Sequence, residues 1–123
     1  NATDWNVGGF TGRLGDDIDE YKGYMIGCSA SGKVSQVNNG TWESRLGGLI
    51  GYMYYGEAVD CCFTGTLDTS AVNGNQYVGA LIGYDFKDNK TTACWYYSAK
   101  AGGANAIGVS GAPETSSHDI TAK

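Results

Sequence analysis

Leu46-Gly47-Gly48-Leu49-Ile50-Gly51 is the stretch that decides the fold, because two close copies of it occur elsewhere in the chain. The copies are Val7-Gly8-Gly9-Phe10-Thr11-Gly12 and Val78-Gly79-Ala80-Leu81-Ile82-Gly83, which begin 39 residues before and 32 residues after it. Each copy has a branched apolar residue, two small residues, a large apolar residue, a variable position and a glycine. Self-similarity with a period of about 20–50 residues is the signature of a repeat architecture.

A second block follows each glycine-rich block and carries a cysteine at a matching position. Cys28, Cys61 and Cys94 are spaced 33 residues apart. In the first two of these blocks the residues alternate with period two, which predicts half-buried strands. The residues predicted to face inward are Ile26, Cys28, Ala30, Gly32 and Val34 in the first unit, and Val59, Cys61, Phe63, Gly65 and Leu67 in the second. In the third unit Ser98 and Lys100 take the inward positions, which predicts that this unit ends the array.

The repeats predict an all-β fold. The glycine pair between Leu46 and Leu49 permits a kink that turns both side chains inward. Apolar residues nowhere recur at helical spacing for more than one turn. Units of about 32 residues cannot bury an apolar face alone but can do so by stacking. We therefore expect a short parallel β-solenoid of about three coils without significant helix. A β-propeller is the competing repeat fold, but its blades have about 40–50 residues and it needs at least about four.

The predicted organisation is a single domain spanning residues 1–123. Its units cover approximately residues 7–44, 45–76 and 77–108, and a tail of residues 109–123 could cap one end of the stack. The residues predicted to form the structural core of the repeat are Gly9, Phe10, Gly12, Gly48, Leu49, Gly51, Leu81, Gly83, Cys28, Cys61 and Cys94.

The glycine-rich blocks resemble the GLUG motif, which is named for its Gly-Leu-any-Gly core. Gly48-Leu49-Ile50-Gly51 matches this core fully, whereas Ala80-Leu81-Ile82-Gly83 departs at the first glycine and Gly9-Phe10-Thr11-Gly12 departs at the leucine. The segment Cys61-Cys62-Phe63-Thr64-Gly65-Thr66-Leu67 is similar to the Cys-Tyr-Ala-Thr-Gly-Ser-Val segment usual in that family. The resemblance implies a repeat region of a large secreted or cell-surface bacterial protein such as an adhesin, and it carries no catalytic residues.

Charge and composition narrow the function classes. The chain has 13 acidic and 8 basic residues, a net charge of −5, which argues against a nucleic-acid partner. No apolar run approaches the roughly 18 residues of a membrane span, so we expect no membrane insertion. The single histidine, His118, lies near the C-terminus, and a His-based triad or metal site would have to be built there. We therefore predict no catalytic residues, no metal and no cofactor, while an Asp/Glu hydrolase stays an open alternative.

The four cysteines leave two interpretations open. Cys28, Cys61 and Cys94 would stack as a buried column, in which free cysteine behaves as a small hydrophobic residue. Alternatively, one or more disulfides form, although parallel Cβ vectors on adjacent rungs give poor disulfide geometry. Cys62 faces outward by parity and is the better candidate for a reactive or intermolecular thiol.

Two further sequence features suggest ligands or modifications. The acidic stretch Asp16–Glu20 could bind calcium through its oxygen atoms, but no other unit repeats it, which favours a solvated loop. Asn39 and Asn89 each begin an Asn-X-Thr sequence in a predicted exposed turn and are therefore candidate glycosylation sites.

The aromatic residues suggest an interaction surface, for which the candidates are Tyr52, Tyr54, Tyr55, Trp95 and Tyr97. A flat strip of such rings could stack on sugars or on another subunit, or the rings could simply cover the core.

Because a parallel stack leaves unpaired backbone groups on its end rungs, we also expect continuation into a larger protein or self-association, end to end or lateral. The predicted function is a non-catalytic extracellular structural or adhesive module, either part of a cell-surface protein or the subunit of a self-assembling filament. The alternative is a glycan-binding module.

Overall fold

The structure of the protein, a computed structural model, describes residues 6–16, 21–36, 43–70, 76–110 and 116–123. Asn39 and residues 17–20 of the acidic stretch lie outside the described residues, so the structure does not test their predicted roles.

The described strands form four successive rungs. The first rung contains β1 (Asn6–Gly8), β2 (Thr11–Leu14), β3 (Gly23–Ile26), β4 (Ser29–Ala30) and β5 (Lys33–Ser35). The second contains β6 (Ser44–Gly47), β7 (Ile50–Met53), β8 (Gly56–Val59), β9 (Cys62–Phe63) and β10 (Thr66–Asp68). The third contains β11 (Gln76–Gly79), β12 (Ile82–Asp85) and β13 (Lys90–Tyr96), followed by a 3-10 turn at Ser98–Lys100. The fourth contains β14 (Ile107–Ser110) and β15 (Ser117–Ala122).

Strands of successive rungs pair in parallel and place equivalent residues over one another. The sheets have the strand orders β1-β6-β11, β2-β7-β12-β14, β3-β8-β13-β15, β4-β9-β13 and β5-β10. In the first of them, for example, Val7, Leu46 and Val78 occupy one column. The predicted all-β class with parallel strands is confirmed, and the arrangement is β-solenoid-like. No helix in the described part of the chain is long and apolar enough to cross a membrane.

The glycine-rich block forms the corner between two sheets. Leu46 at the end of β6 and Leu49 before β7 are both buried, as the kink at the glycine pair predicts. A Cβ atom on Gly48 would lie 2.2 Å from the carbonyl oxygen of Ala80 and 2.3 Å from Cδ1 of Phe63. Glycine is required here because the next rung and the core ring approach the backbone so closely.

Phe10 departs from its predicted place in the core. The residue is 51% exposed, whereas the equivalent Leu49 and Leu81 are each 1% exposed. The Phe10 amide donates to the Leu49 carbonyl at 3.0 Å, so the residue does lie in the predicted column. It is exposed because it belongs to the first rung, below which the structure describes no further strand.

The predicted alternation is wrong on the upstream side of each cysteine. Ile26 was expected inward but is 69% exposed, and Met25 faces the core in its place. In the second rung Ala58 is likewise buried instead of Val59. The backbone changes side because one residue per rung adopts a left-handed conformation just before the cysteine. These residues are Gly27 (φ 63°), Asp60 (φ 52°) and Ala93 (φ 53°).

The array does not end with the third unit. Strand β14 pairs with β12 and β15 pairs with β13, so the C-terminal segment builds a partial fourth rung. The predicted tail of residues 109–123 supplies most of this rung, but β14 begins at Ile107, inside the predicted third unit. Ser98 and Lys100 are exposed in the 3-10 turn and do not face inward, because the chain leaves the strand path after Tyr96.

Candidate functional site

Cys28, Cys61 and Cys94 occupy one column, as predicted. The amide of Cys62 donates to the Cys28 carbonyl at 3.0 Å, and the amide of Trp95 donates to the Cys61 carbonyl at 3.1 Å, which places the three cysteines on consecutive rungs. All four cysteines are free thiols, so the structure holds the thiol column and not the disulfides. Burial raises the pKa of Cys61 to about 11 and also raises the pKa of Cys94. These two thiols stay protonated and are poor nucleophiles. Both belong to the buried core, and the half-buried Cys28 packs against it.

Cys62 points to the other side of the same strand. It aligns with Ser29 of the first rung and Trp95 of the third, and it is half-buried. Its position beside Trp95 is that of the outward thiol that parity predicts.

Within the described ranges, most of the ring contacts belong to a group that we call the Tyr–Arg cluster, formed by Arg13, Arg45, Tyr52, Tyr54, Tyr77, Tyr84 and Phe86. Strand register builds it. Arg13 of β2, Tyr52 of β7 and Tyr84 of β12 lie over one another in one column. In the neighbouring sheet Arg45 of β6 aligns with Tyr77 of β11.

Arg45 holds the centre of the Tyr–Arg cluster. Its Cζ atom lies 4.4 Å from the ring centre of Tyr52 and 5.4 Å from that of Tyr84, which is cation–π geometry. Its two terminal nitrogens donate to Asn6 Oδ1 and to Glu43 Oε2, each at 3.3 Å. Burial raises the pKa of Tyr52 to about 12 although the Arg45 charge opposes the shift, so the Tyr52 hydroxyl is neutral at physiological pH.

The predicted aromatic residues do not form one flat strip. Tyr52 meets Tyr84 and Tyr54 edge to face, with interplanar angles of 70° and 84°. Tyr55 instead faces the ammonium groups of Lys22 and Lys87, at 5.4 and 5.5 Å from its ring centre. The strip that the sequence suggested is therefore divided, and its rings largely pack on one another.

Trp95 and Tyr97 form a separate aromatic pair at the end of β13. Their ring centres are 5.3 Å apart with an interplanar angle of 63°. Nζ of Lys123 lies 4.1 Å from the ring centre of Trp95, and Nζ of Lys100 lies 5.5 Å from that of Tyr97. These contacts tie the C-terminal residue to the third rung.

A buried polar network joins the third and fourth rungs. Asp85 takes the column position that Met53 has in the second rung, and it is fully buried. His118 Nε2 lies 2.9 Å from Asp85 Oδ2, and the Ser110 hydroxyl donates to the same oxygen at 3.0 Å. The other ring nitrogen of His118, Nδ1, lies 3.1 Å from Thr91 Oγ1.

Asn89 completes the network. Its side-chain amide donates to Asp85 Oδ1 and, at 2.7 Å, to the Met53 carbonyl, while its own oxygen accepts the Gly56 amide at 2.7 Å. Burial tends to raise the pKa of Asp85, but the hydrogen bonds from His118 and Asn89 outweigh it and hold this pKa below the usual value of 3.8. Asp85 is therefore an ionised carboxylate with its partners in place.

Thr91, His118 and Asp85 have the order of a hydroxyl–histidine–carboxylate triad. Thr91, however, is only 3% exposed and lies beneath β15, which pairs with its strand. A substrate could not reach the hydroxyl while β15 is in place. The arrangement instead fastens β15 to the third rung.

This network is the feature that sequence reasoning missed. No sequence motif marks Asp85, and His118 stands out only as the single histidine near the C-terminus. Alignment of the repeats could have revealed the buried position of Asp85, because it places Asp85 in the same inward column as Met53. A charged residue in a core column needs a buried partner, and His118 is the only histidine in the sequence.

The expectation that Asn89 lies in an exposed turn is wrong. The residue is 1% exposed, and both ends of its side-chain amide are engaged in hydrogen bonds. An attached glycan would have to displace these bonds, so the folded chain does not offer Asn89 as an acceptor. Among the described residues no group of three or more His, Cys, Asp or Glu side chains is placed to hold a metal ion.

Comparison with known proteins gives one informative similarity. A stretch of 79 residues is 37% identical to part of halomucin from Haloquadratum walsbyi (strain DSM 16790 / HBSQ001). The match covers 63% of this chain but only 1% of halomucin. No protein-family model matches the chain, and the resemblance to the GLUG motif stays a prediction. No solved structure matches the chain. The chain is thus similar to a small segment of one very long protein.

Proposed function

We propose that the chain is a non-catalytic structural repeat module of an extracellular cell-surface protein. The observation that carries this proposal is the in-register parallel stacking of the rungs, in which the apolar and thiol side chains are used to join one rung to the next. Such a module gives a surface protein length and stiffness, since each added rung extends the same ladder.

The similarity to halomucin supports this role. Its name indicates a mucin-like protein, and the matched segment is 1% of its length. The resemblance of the glycine-rich blocks to the GLUG motif points in the same direction, toward adhesin-type repeat regions. The buried position of the Thr91 hydroxyl supports a role without catalysis.

Limited proteolysis of intact source cells tests the location. The expected result is that an antibody against the chain labels unbroken cells and that external protease removes the label. The matched control is an antibody against a cytosolic enzyme, which should label only lysed cells. Label that appears only after lysis would contradict the proposal.

The Tyr–Arg cluster favours a second candidate function, glycan binding. Phe86 is 38% exposed, and its ring centre lies 4.9 Å from that of Tyr54. The Arg13 guanidinium, which lies over the Tyr54 ring, adds hydrogen-bond donors on the same side.

A glycan array probed with the wild type and with Phe86→Ala tests this function. Binding that falls at least about tenfold in the variant, or about 1.4 kcal/mol, would support it. The matched control is Tyr97→Ala at the separate aromatic pair, and an array without hits would exclude the function.

A further inference from the structure

We propose that copies of this chain stack head to tail, the first rung of one copy adding to the fourth rung of the next. This inference rests on the proposed structural role and names the partner of the stack: a second copy of the same chain. It is carried by the direction of the hydrogen bonds at the glycine-rich corner, by the side chains at the two ends of that corner column, and by the exposure of Phe10.

The corner hydrogen bonds all run in one direction. The amides of Phe10 and Thr11 donate to the Leu49 carbonyl of the second rung. Those of Leu49 and Ile50 donate in turn to Leu81, and those of Leu81 and Ile82 donate to Ala106, with N···O distances between 2.9 and 3.2 Å. At this corner each rung therefore gives its N–H groups to the rung that follows.

This polarity makes the two ends of the stack complementary. At the fourth rung the pattern directs the N–H groups of Ala106 and Ile107 away from the third rung. At the first rung it directs the Phe10 carbonyl away from the second. A head-to-tail contact brings donors to an acceptor, whereas joining two like ends would oppose donors to donors or acceptors to acceptors. Because buried backbone groups need partners, only the head-to-tail contact satisfies the corner groups of both ends.

The side chains of the corner column fit the same direction. The column reads Phe10, Leu49, Leu81 and Ala106, so its largest member is at the first rung and its smallest is at the fourth. Phe10 is 51% exposed, whereas the covered leucines are each 1% exposed. A second copy would set the Phe10 ring against the small Ala106 and extend the apolar column without a change of register.

The edge strands give a way to block each end separately. Ile82 pairs with Ile107, and its amide donates to the Ala106 carbonyl. In a parallel ladder the backbone groups of successive residues point alternately to the two sides of the strand. The Val109 amide therefore points toward the open side of β14. Val109→Pro removes that donor and spares the bonds to β12. Val109 is exposed, so the loss of its side chain costs little packing. Phe10→Lys places a charge in the column at the other end.

Sedimentation velocity and electron microscopy of the purified chain test the proposal, at about 1–100 µM, where micromolar affinities are visible. The wild type should form elongated oligomers that grow with concentration. Phe10→Lys and Val109→Pro should each be monomeric alone, and their equimolar mixture should give a dimer, because each variant keeps the end that the other lacks. Circular dichroism checks that each variant is folded, and Phe10→Asp provides a second variant of the same end.

Phe86→Lys is the matched control, since it places the same charge on an exposed ring of the Tyr–Arg cluster. It should assemble like the wild type, and its failure to assemble would instead show lateral association. A wild type that stays monomeric over the whole range overturns the head-to-tail contact but leaves the surface-module proposal intact. Dimers formed by either blocked variant alone, or no dimer in the mixture, also overturn it.

Discussion

At some positions two rungs can approach each other closely only because the residue between them has no side chain. Gly48 has the carbonyl of Ala80 and the ring of Phe63 within 2.3 Å of where a Cβ atom would be placed. Gly27 adopts a positive φ but has open space around it. The two glycines therefore serve different purposes, and substitutions can separate them.

Gly48→Ala should lower the free energy of unfolding by about 1–3 kcal/mol, because the added methyl group overpacks the corner. Urea denaturation followed by circular dichroism measures this change. The matched control is Gly27→Asp, which copies the residue found at the equivalent position, Asp60, with φ 52°. That control should stay within about 0.5 kcal/mol of the wild type. Equal losses in the two variants would mean that close approach is not what requires Gly48.

The cysteines should fall into two reactivity classes in the folded protein. Cys61 and Cys94 are buried with raised pKa values, whereas Cys28 and Cys62 are half-buried. At pH 8 a maleimide should modify Cys28 and Cys62 and spare the other two, since the thiolate is the reactive form. Peptide mass spectrometry assigns the sites, and labelling in urea should reach all four. Modification of Cys94 before Cys62 in the native protein would contradict the described column.

Asp85 should make the stability of the fold depend on pH. Because its folded pKa lies below that of the unfolded chain, about 3.9, its stabilising contribution is fully present above that value. The contribution is lost as the pH falls through the folded pKa. Urea midpoints between about pH 6 and pH 2.5 should therefore fall less steeply in Asp85→Asn than in the wild type. Asp88→Asn, at an exposed residue, is the control and should keep the wild-type slope.

At the scale of elements, β15 depends on His118 for its attachment. The ring bridges Asp85 and Thr91, so His118→Ala leaves a buried carboxylate with one partner fewer. Losing such a bond costs about 1–3 kcal/mol. Hydrogen exchange should accelerate at the amides of Ser117 and Lys123, which donate to Asn89 and Tyr96. The control is Thr121→Ala on an exposed position of the same strand, and exchange unchanged by His118→Ala would refute the fastening role.

The elements also show how much of the fold can be predicted from the sequence. The period of the glycine-rich and cysteine blocks predicts the parallel rungs, the corner at Gly48 and the thiol column. Strict alternation fails at Ile26 because the left-handed Gly27 changes the side that the following residues face. Glycine and aspartate favour this conformation, but Ala93 carries no sequence signal for it. The fourth rung was missed because β14 and β15 lack a full copy of either block. The Asp85–His118 pair was missed because His118 lies in that fourth rung, where no repeat block marks its alignment with the third rung.

At the scale of the whole molecule, net charge opposes assembly. Each copy carries a charge of −5, so stacked copies repel one another at low ionic strength. Salt shortens the screening length from about 10 Å at 0.1 M to about 3 Å at 1 M. The oligomers seen by sedimentation should therefore grow as sodium chloride is raised over this range. Oligomers that dissociate with added salt would indicate that ion pairs, and not the backbone ladder, join the copies.

The corners of the rungs differ in length in a way that matters for engineering. The connection between β2 and β3 has eight residues, whereas those between β7 and β8 and between β12 and β13 have two and four. The columns on either side keep their alignment despite this difference. The molecule thus already accommodates an insertion at one corner, which makes residues 15–22 the natural position for grafting a foreign epitope. An assembly built from such grafted copies would display that epitope once per subunit along its length.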